Sequence, residues 1–335
     1  MTYAIILLIL VVAVALIFEY INGFHDAANA IATVVSTKVL TPRKALFYGA
    51  SLNFFGAFFG THVAKTIGSG IVDAVAVSQE VILCALIGAI LWNLFTWFFG
   101  IPSSSSHALI GGLLGAAVAH NGFAVVNGKG LIEKVLIPMF ASPFIGFLAG
   151  FLLMLALLWI FAKASPEKIN RKFKFMQLIS AGFMAFSHGS NDAQKTMGII
   201  TLSLMTYWAD QGHLSQDFSV PFWVIFICAL TMALGTASGG WKIIRTLGTR
   251  VIKLKPIHGF AAETTAATTI LTCSFFGIPV STTHIISTAI MGVGSTIRFS
   301  AVKWGLVGNI VLAWFLTIPV CAILSGMLYI MIVGH

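Results

Sequence analysis

Gly100-Ile-Pro-Ser-Ser-Ser-Ser-His107 interrupts a long apolar run with a block of polar residues, and the pattern returns as Gly277-Ile-Pro-Val-Ser-Thr-Thr-His284. Too few apolar residues follow between Ile101 and Ala117 to cross a bilayer, which takes about 20. A hairpin that enters and leaves on one side is predicted instead, spanning residues about 80–117, with Pro102 at its tip and the return from Ser104 onward. The second copy predicts a matching hairpin at about 259–294. Proline suits the first turn of a helix, and hydroxyls behind it cap free amides. Such backbone is tolerated at membrane depth only where it is buried or lines a wet cavity.

A second element precedes each hairpin: His25-Asp26-Ala-Ala-Asn29 in the first half and Asn191-Asp192-Ala-Gln-Lys195 in the second. The order is the same in both halves, which argues for duplication. The repeats are placed at 1–162 and 175–335, joined by a basic segment at 163–174. That segment holds Lys163, Lys168, Arg171, Lys172 and Lys174 and is predicted to be cytoplasmic. Lys242, Arg245, Arg250, Lys253 and Lys255 belong on the same side, and Asp210 to Asp217 between them on the other. In the first half the signs reverse: Lys38, Arg43 and Lys44 correspond to the acidic loop, and Asp73 and Glu80 to the basic one. The halves are therefore expected to be inverted in the membrane, with a site near the midplane between them.

Composition fits this class. Hydrophobic residues make up 58% and charged residues 9%, against about 45–50% and 25% in soluble domains. The expected fold is all-α and polytopic, with broken helices and two re-entrant hairpins. Tyr3 to Phe18, Phe144 to Phe161 and Val311 to Val333 are nearly uncharged spans. Met1 to Phe18 lacks the basic start and small-residue cleavage pattern of a signal peptide, and is read as the first helix. The net charge of +9 sits in short loops rather than on a nucleic-acid-binding domain. Cys84, Cys228, Cys273 and Cys321 are isolated in apolar runs and read as core residues.

A helix N-terminus with free amides and a ring of hydroxyls is an anion site. Ser104, Ser105 and Ser106 are expected to face Ser281, Thr282 and Thr283 across the repeat axis, around one tetrahedral oxyanion. His107 and His284 brace the hairpins or donate to the anion. Asp26 and Asp192 are intramembrane acids, and such residues are functional by default. With Asn29, Asn191, and carbonyls freed by helix breaks at Gly23 and Gly189, they are expected to form an oxygen site for an alkali cation. Glu263, among Thr264, Thr265, Thr268 and Thr269, is expected to complete it, whereas Glu19 is placed near the surface.

Gly23-Phe-His-Asp-Ala-Ala-Asn-Ala30, His188-Gly-Ser-Asn-Asp-Ala-Gln-Lys195 and the paired Gly-Ile-Pro units resemble the inorganic phosphate transporter (PiT) family over nearly the whole chain. The resemblance implies phosphate uptake with sodium or protons by duplicated, inverted halves. Asp26, Asp192, Gln194 and Lys195 then join the six hydroxyls as phosphate-binding candidates, and Asp26, Asn29, Asn191, Asp192 and Glu263 as sodium ligands. His25 and Lys195 depart from the family's usual Asn, and Asn53 stands where a first-half Glu is common. Implied partners are phosphate, sodium (favoured) or protons, and the lipid bilayer, in a cell membrane; a homodimer is a further option. No cofactor or nucleic acid is expected. Rival readings are a metal-phosphate symporter, a sulfate permease, an anion channel, or a hydrolase using Ser106 and His107. The last is disfavoured, because adjacent residues on a helix point about 100° apart.

Overall fold

A computed structural model describes residues 2–73, 77–212 and 218–334. The described residues are helical apart from short connections and one isolated β-bridge, Val72 to Val126. In the first half, α1 (Thr2–His25) and α2 (Ala27–Ser36) are followed by α3 (Pro42–Gly56) and α4 (His62–Ser69). Then come α5 (Gln79–Phe99), α6 (Ser105–Asn121), the short α7 (Gly128–Leu131) and α8 (Ile137–Ile160). The second half has α9 (Pro166–Asp210), α10 (Phe222–Ser238), α11 (Trp241–Arg245), α12 (Pro256–Phe275), α13 (Thr282–Ser295) and α14 (Trp304–Val333).

Four segments are long and apolar enough to cross a membrane: Tyr3–Ser36, Gln79–Phe99, Gly128–Ile160 and Trp304–Val333. A fifth forms if α10 and the stretch Trp241–Arg250, bent by 61°, count as one. The surface is inside-out relative to a protein in water. Phe47, Phe55, Phe98, Phe140, Phe144, Trp159 and Phe315 point outward, whereas Glu19, Asp26, Asp192, Lys195 and Glu263 are buried. An apolar exterior on that scale is stable only against lipid or another protein.

The turn-forming residues explain both hairpins. Gly100 ends α5 with φ 67° and Gly277 follows α12 with φ 65°, a left-handed conformation that glycine adopts without a Cβ clash. Ser104 and Ser281 then cap α6 and α13, each Oγ accepting from the backbone N–H of His107 or His284 at 3.2 Å. Pro102 and Pro279 thus lie two residues before the cap, not in the first helical turn as predicted.

Three further expectations change. The basic segment read as a loop is helical from Pro166 and forms the first turns of α9. Neither glycine breaks its helix: α9 runs unbroken for 45 residues through Gly189, and α1 continues through Gly23 to His25, the break falling at Asp26 instead. Glycine serves close approach instead. A Cβ on Gly189 would lie 2.2 Å from the Asn53 carbonyl oxygen, and one on Gly23 would lie 2.5 Å from that of Met232. Finally, Glu19 is fully buried rather than near the surface. Of the loop from Asp210 to Asp217, residues 213–217 lie outside the described residues.

Those glycines mark how the halves interlock. α1 packs on α10 and α9 on α3; α6 packs on α14 and α13 on α8. All four pairings run between the first half and the second. Gly189→Ala is expected to lower stability by about 1–3 kcal/mol through overpacking, read as a reduced melting temperature of the detergent-purified protein. An unchanged melting temperature would show that the α3–α9 contact is loose.

Candidate binding site at the hairpin tips

The two tips meet at the centre of the molecule. The His107 and His284 rings pack edge to face with centroids 4.9 Å apart, and His284 stacks on Trp314 at 4.0 Å. Trp314 Nε1 donates to the Pro102 carbonyl at 2.9 Å. Short helices of the opposite half pin the glycine carbonyls. Thr246, just after α11, donates to Gly100 at 2.9 Å, and Thr66 of α4 donates to Gly277 at 2.6 Å. The histidine rings thus pack at the tips, with His107 Nδ1 and both His284 nitrogens lacking a hydrogen-bond partner among the described residues.

Both acids reach the same place. One donor atom each from Asp26, His188 and Asp192 lie within 4.8 Å of one another. Asp26 Oδ1 is 2.6 Å from His25 Nδ1 and accepts from Thr283 at 3.5 Å. Asp192 Oδ2 accepts from Thr282 at 2.9 Å and lies 3.0 Å from His188 Nε2, while Oδ1 accepts from Lys195. Lys195 Nζ also donates to Ser106 Oγ and, at 3.0 Å, to the Val280 carbonyl. Asn29 Nδ2 donates to Thr282 and Thr283 at 3.2 and 2.9 Å. All of these side chains are buried.

Of the residues predicted from sequence, Asp26, Asn29, Asp192, Lys195, Ser106, Thr282 and Thr283 come together. Ser105 Oγ is buried beside them without a hydrogen-bond partner. The Ser104 and Ser281 hydroxyls are occupied as helix caps. Asn191 turns away and donates to Ser274 at 2.8 Å. Gln194 is not at the tips: its Oε1 accepts from Val63 N at 2.8 Å, capping α4, and its Nε2 donates to the Ser190 carbonyl. Glu263 is separate as well, in a cluster where Thr33, Ser180 and Gln177 all donate to its carboxylate. Asn53 bonds His188 Nδ1 at 3.1 Å and Thr236 at 2.9 Å, supporting the site from behind.

Apart from the tips, a cavity of about 440 Å³ reaches Thr96 and Pro102, with Arg250 in its wall. Thr96 connects it to the acids, because Thr96 Oγ1 lies 3.1 Å from His25 Nε2 and accepts from Ser103 at 2.8 Å.

The model of the phosphate transporter family matches residues 22–325. The chain belongs to the phosphate transporter family. Within it, this transporter is 50% identical over 329 residues to a probable low-affinity inorganic phosphate transporter of Rhizobium meliloti (strain 1021), covering 98% of this chain and 97% of that one. It is 47% identical to a protein of the same description from Bacillus subtilis (strain 168), covering 98% of each. A solved structure titled the sodium-dependent phosphate transporter superposes with a TM-score of 0.88 at 27% identity, covering 96% of this chain and 98% of that one. This member of the phosphate transporter family is a multi-pass integral membrane protein and not an enzyme.

Two buried residues in or near the candidate site received no role from sequence. His188 precedes Asp192 by one helical turn, a spacing that places both on one face. Glu19 lies two turns before Asp26, and its Oε2 accepts from Thr196 at 2.5 Å and Asn22 at 3.4 Å. The seven-residue spacing was the available signal, but the helix break at Asp26 obscured it.

Proposed function

We propose that the protein imports inorganic phosphate by secondary active transport, with the anion held between the two hairpin tips. The observation carrying this reading is the convergence of Ser106, Thr282 and Thr283 with Asp26, Asp192 and Lys195. Hydroxyls and an ammonium donate to phosphate oxygens, while a carboxylate accepts the proton that phosphate keeps at neutral pH. Sulfate offers no such proton, so the same carboxylates reject it. Ser105 and the free amides at the starts of α6 and α13 complete the cage.

In this reading the halves, at 1–162 and 175–335, are inverted repeats, and α5–α6 and α12–α13 are re-entrant hairpins. The exchanged packing of corresponding helices supports it. The halves rock around the bound anion, exposing it to one side and then the other. A co-transported cation offsets the cost of bringing a dianion into low dielectric, so each binds better with the other present. Sodium is the first candidate, with Asp26 and Asn29 as oxygen donors, Asn191 being turned toward Ser274; the name of the solved neighbour supports it. Proton coupling is the second reading, favoured by His25, which joins Asp26 to Thr96 and the cavity.

Labelled-phosphate uptake into proteoliposomes, with sodium and proton gradients imposed separately, tests the proposal. Accumulation driven by one gradient is expected. Uptake indifferent to both gradients would overturn coupled transport, and unitary currents in planar bilayers would identify a channel.

A further inference from the structure

The position three residues beyond each acid does corresponding work in the two halves with different chemistry. Asn29 donates to Thr283 in the second tip, and Lys195 donates to Ser106 in the first. Ser106 and Thr283 are equivalent places, each directly before the tip histidine. Lys195 reaches further than the amide: its Nζ also meets the Asp192 carboxylate and the Val280 carbonyl. The side chain is buried, so no water completes its shell at the surface.

Carboxylate, hydroxyl and peptide carbonyl are the hard oxygen donors that an alkali cation takes. Here one covalently held ammonium occupies the space among all three. A free cation bridging Asp192 to the first tip would have to sit where Nζ sits. The sequence-based expectation of sodium at Asp192 therefore does not fit this chain.

We propose that Lys195 is a tethered cation that takes the place of a co-transported sodium ion at Asp192; the inference rests on the phosphate-transport reading above. A dianion entering beside Asp26 and Asp192 adds negative charge where two carboxylates already stand. The ammonium supplies counter-charge without capturing an ion, and it stays behind when the cargo leaves. Phosphate binding at this position is thereby relieved of sodium, whatever gradient acts through the Asp26 side.

Lys195→Asn, which copies Asn29, tests this. Apparent phosphate affinity is measured in proteoliposomes with sodium and with sodium replaced by choline. The affinity ratio between the two conditions is expected to widen by about tenfold in Lys195→Asn relative to the parent, and to keep the parent value in Lys195→Arg. In detergent, sodium but not choline should raise the melting temperature of Lys195→Asn more than that of the parent. A folded Lys195→Asn whose sodium response equals the parent's in both measurements, or whose uptake sodium does not restore, overturns the proposal. If Lys195→Asn does not fold, the same sodium-dependent melting shift is read on Lys195→Gln, and its absence has the same meaning. Failure of the phosphate reading would appear differently, as no uptake by the parent protein.

Discussion

Asp192→Asn is expected to abolish phosphate uptake and to destabilise the folded transporter by about 3–5 kcal/mol, the cost of stranding one partner of a buried ion pair. The partner left behind is Lys195, which loses its carboxylate, since its other hydrogen bonds among the described residues go to a hydroxyl and a carbonyl. Thr282 loses a charged acceptor and His188 a carboxylate neighbour at the same stroke. Uptake and stability are separable. Asp192→Asn with Lys195→Asn removes both charges, so the melting temperature should return most of the way toward the parent value while uptake stays at the level of protein-free vesicles. If uptake returned with stability, Asp192 would be a structural partner of Lys195 and not a substrate or cation ligand.

The second large effect is expected at Glu263. Glu263→Ala leaves the Thr33, Gln177 and Ser180 donors in a dry interior, at about 1–3 kcal/mol for each buried group left unpaired. The other half provides the control. If the halves are repeats, as the paired motifs suggest, the offset is 166 residues around the acids and 177 around the tips. Subtracting or adding these offsets maps Gln177, Ser180, Glu263 and Thr33 onto Val11, Val14, Leu86 and Ile199, members of or neighbours to one apolar cluster. Installing those four apolar residues in place of the polar set should recover folding, because no donor is then left unpaired. Phosphate uptake should still fail. Normal uptake by the apolar version would mean that the cluster only holds α2, α9 and α12 together.

Much of this architecture was legible in the sequence because the tips carry unusual chemistry. Glycine, proline and a run of hydroxyls leave few conformations open, so Gly100 and Gly277 fixed the turns and Ser104 and Ser281 the helix starts. The meeting of Asp26 with Asp192 followed from the repeat. Less legible was anything decided by which side of a helix faces inward. Gln194 lies two residues beyond Asp192 on a continuous helix, so it points elsewhere and caps α4. Asn191, one residue before, likewise turns toward Ser274. The expected break at Gly189 failed for a related reason. Glycine there answers the approach of the Asn53 backbone, a tertiary demand that local sequence does not express.

The Glu263 cluster also bears on how the proposed rocking would be paced. From Asp26, α2 presents Asn29, Thr33 and Thr37 at spacings of three or four residues, and Thr37 donates to Gln177 at 2.8 Å beside the carboxylate. The matching face of α9 meets Ile199, with Val11 and Leu86 behind it. A machine cast twice from one mould would have identical doorways and would idle equally in either direction. In the proposed rocking, the side at Glu263 would be lined with groups that water and ions can wet, and the side at Ile199 largely with hydrocarbon, the Ser203–Gln79 pair excepted. Opening the first trades hydrogen bonds for hydration, whereas opening the second exposes oil. Under the proposed rocking, the two waiting states would have unequal energies before any gradient is applied, and the unlike halves would set a bias in how long the protein rests on each side.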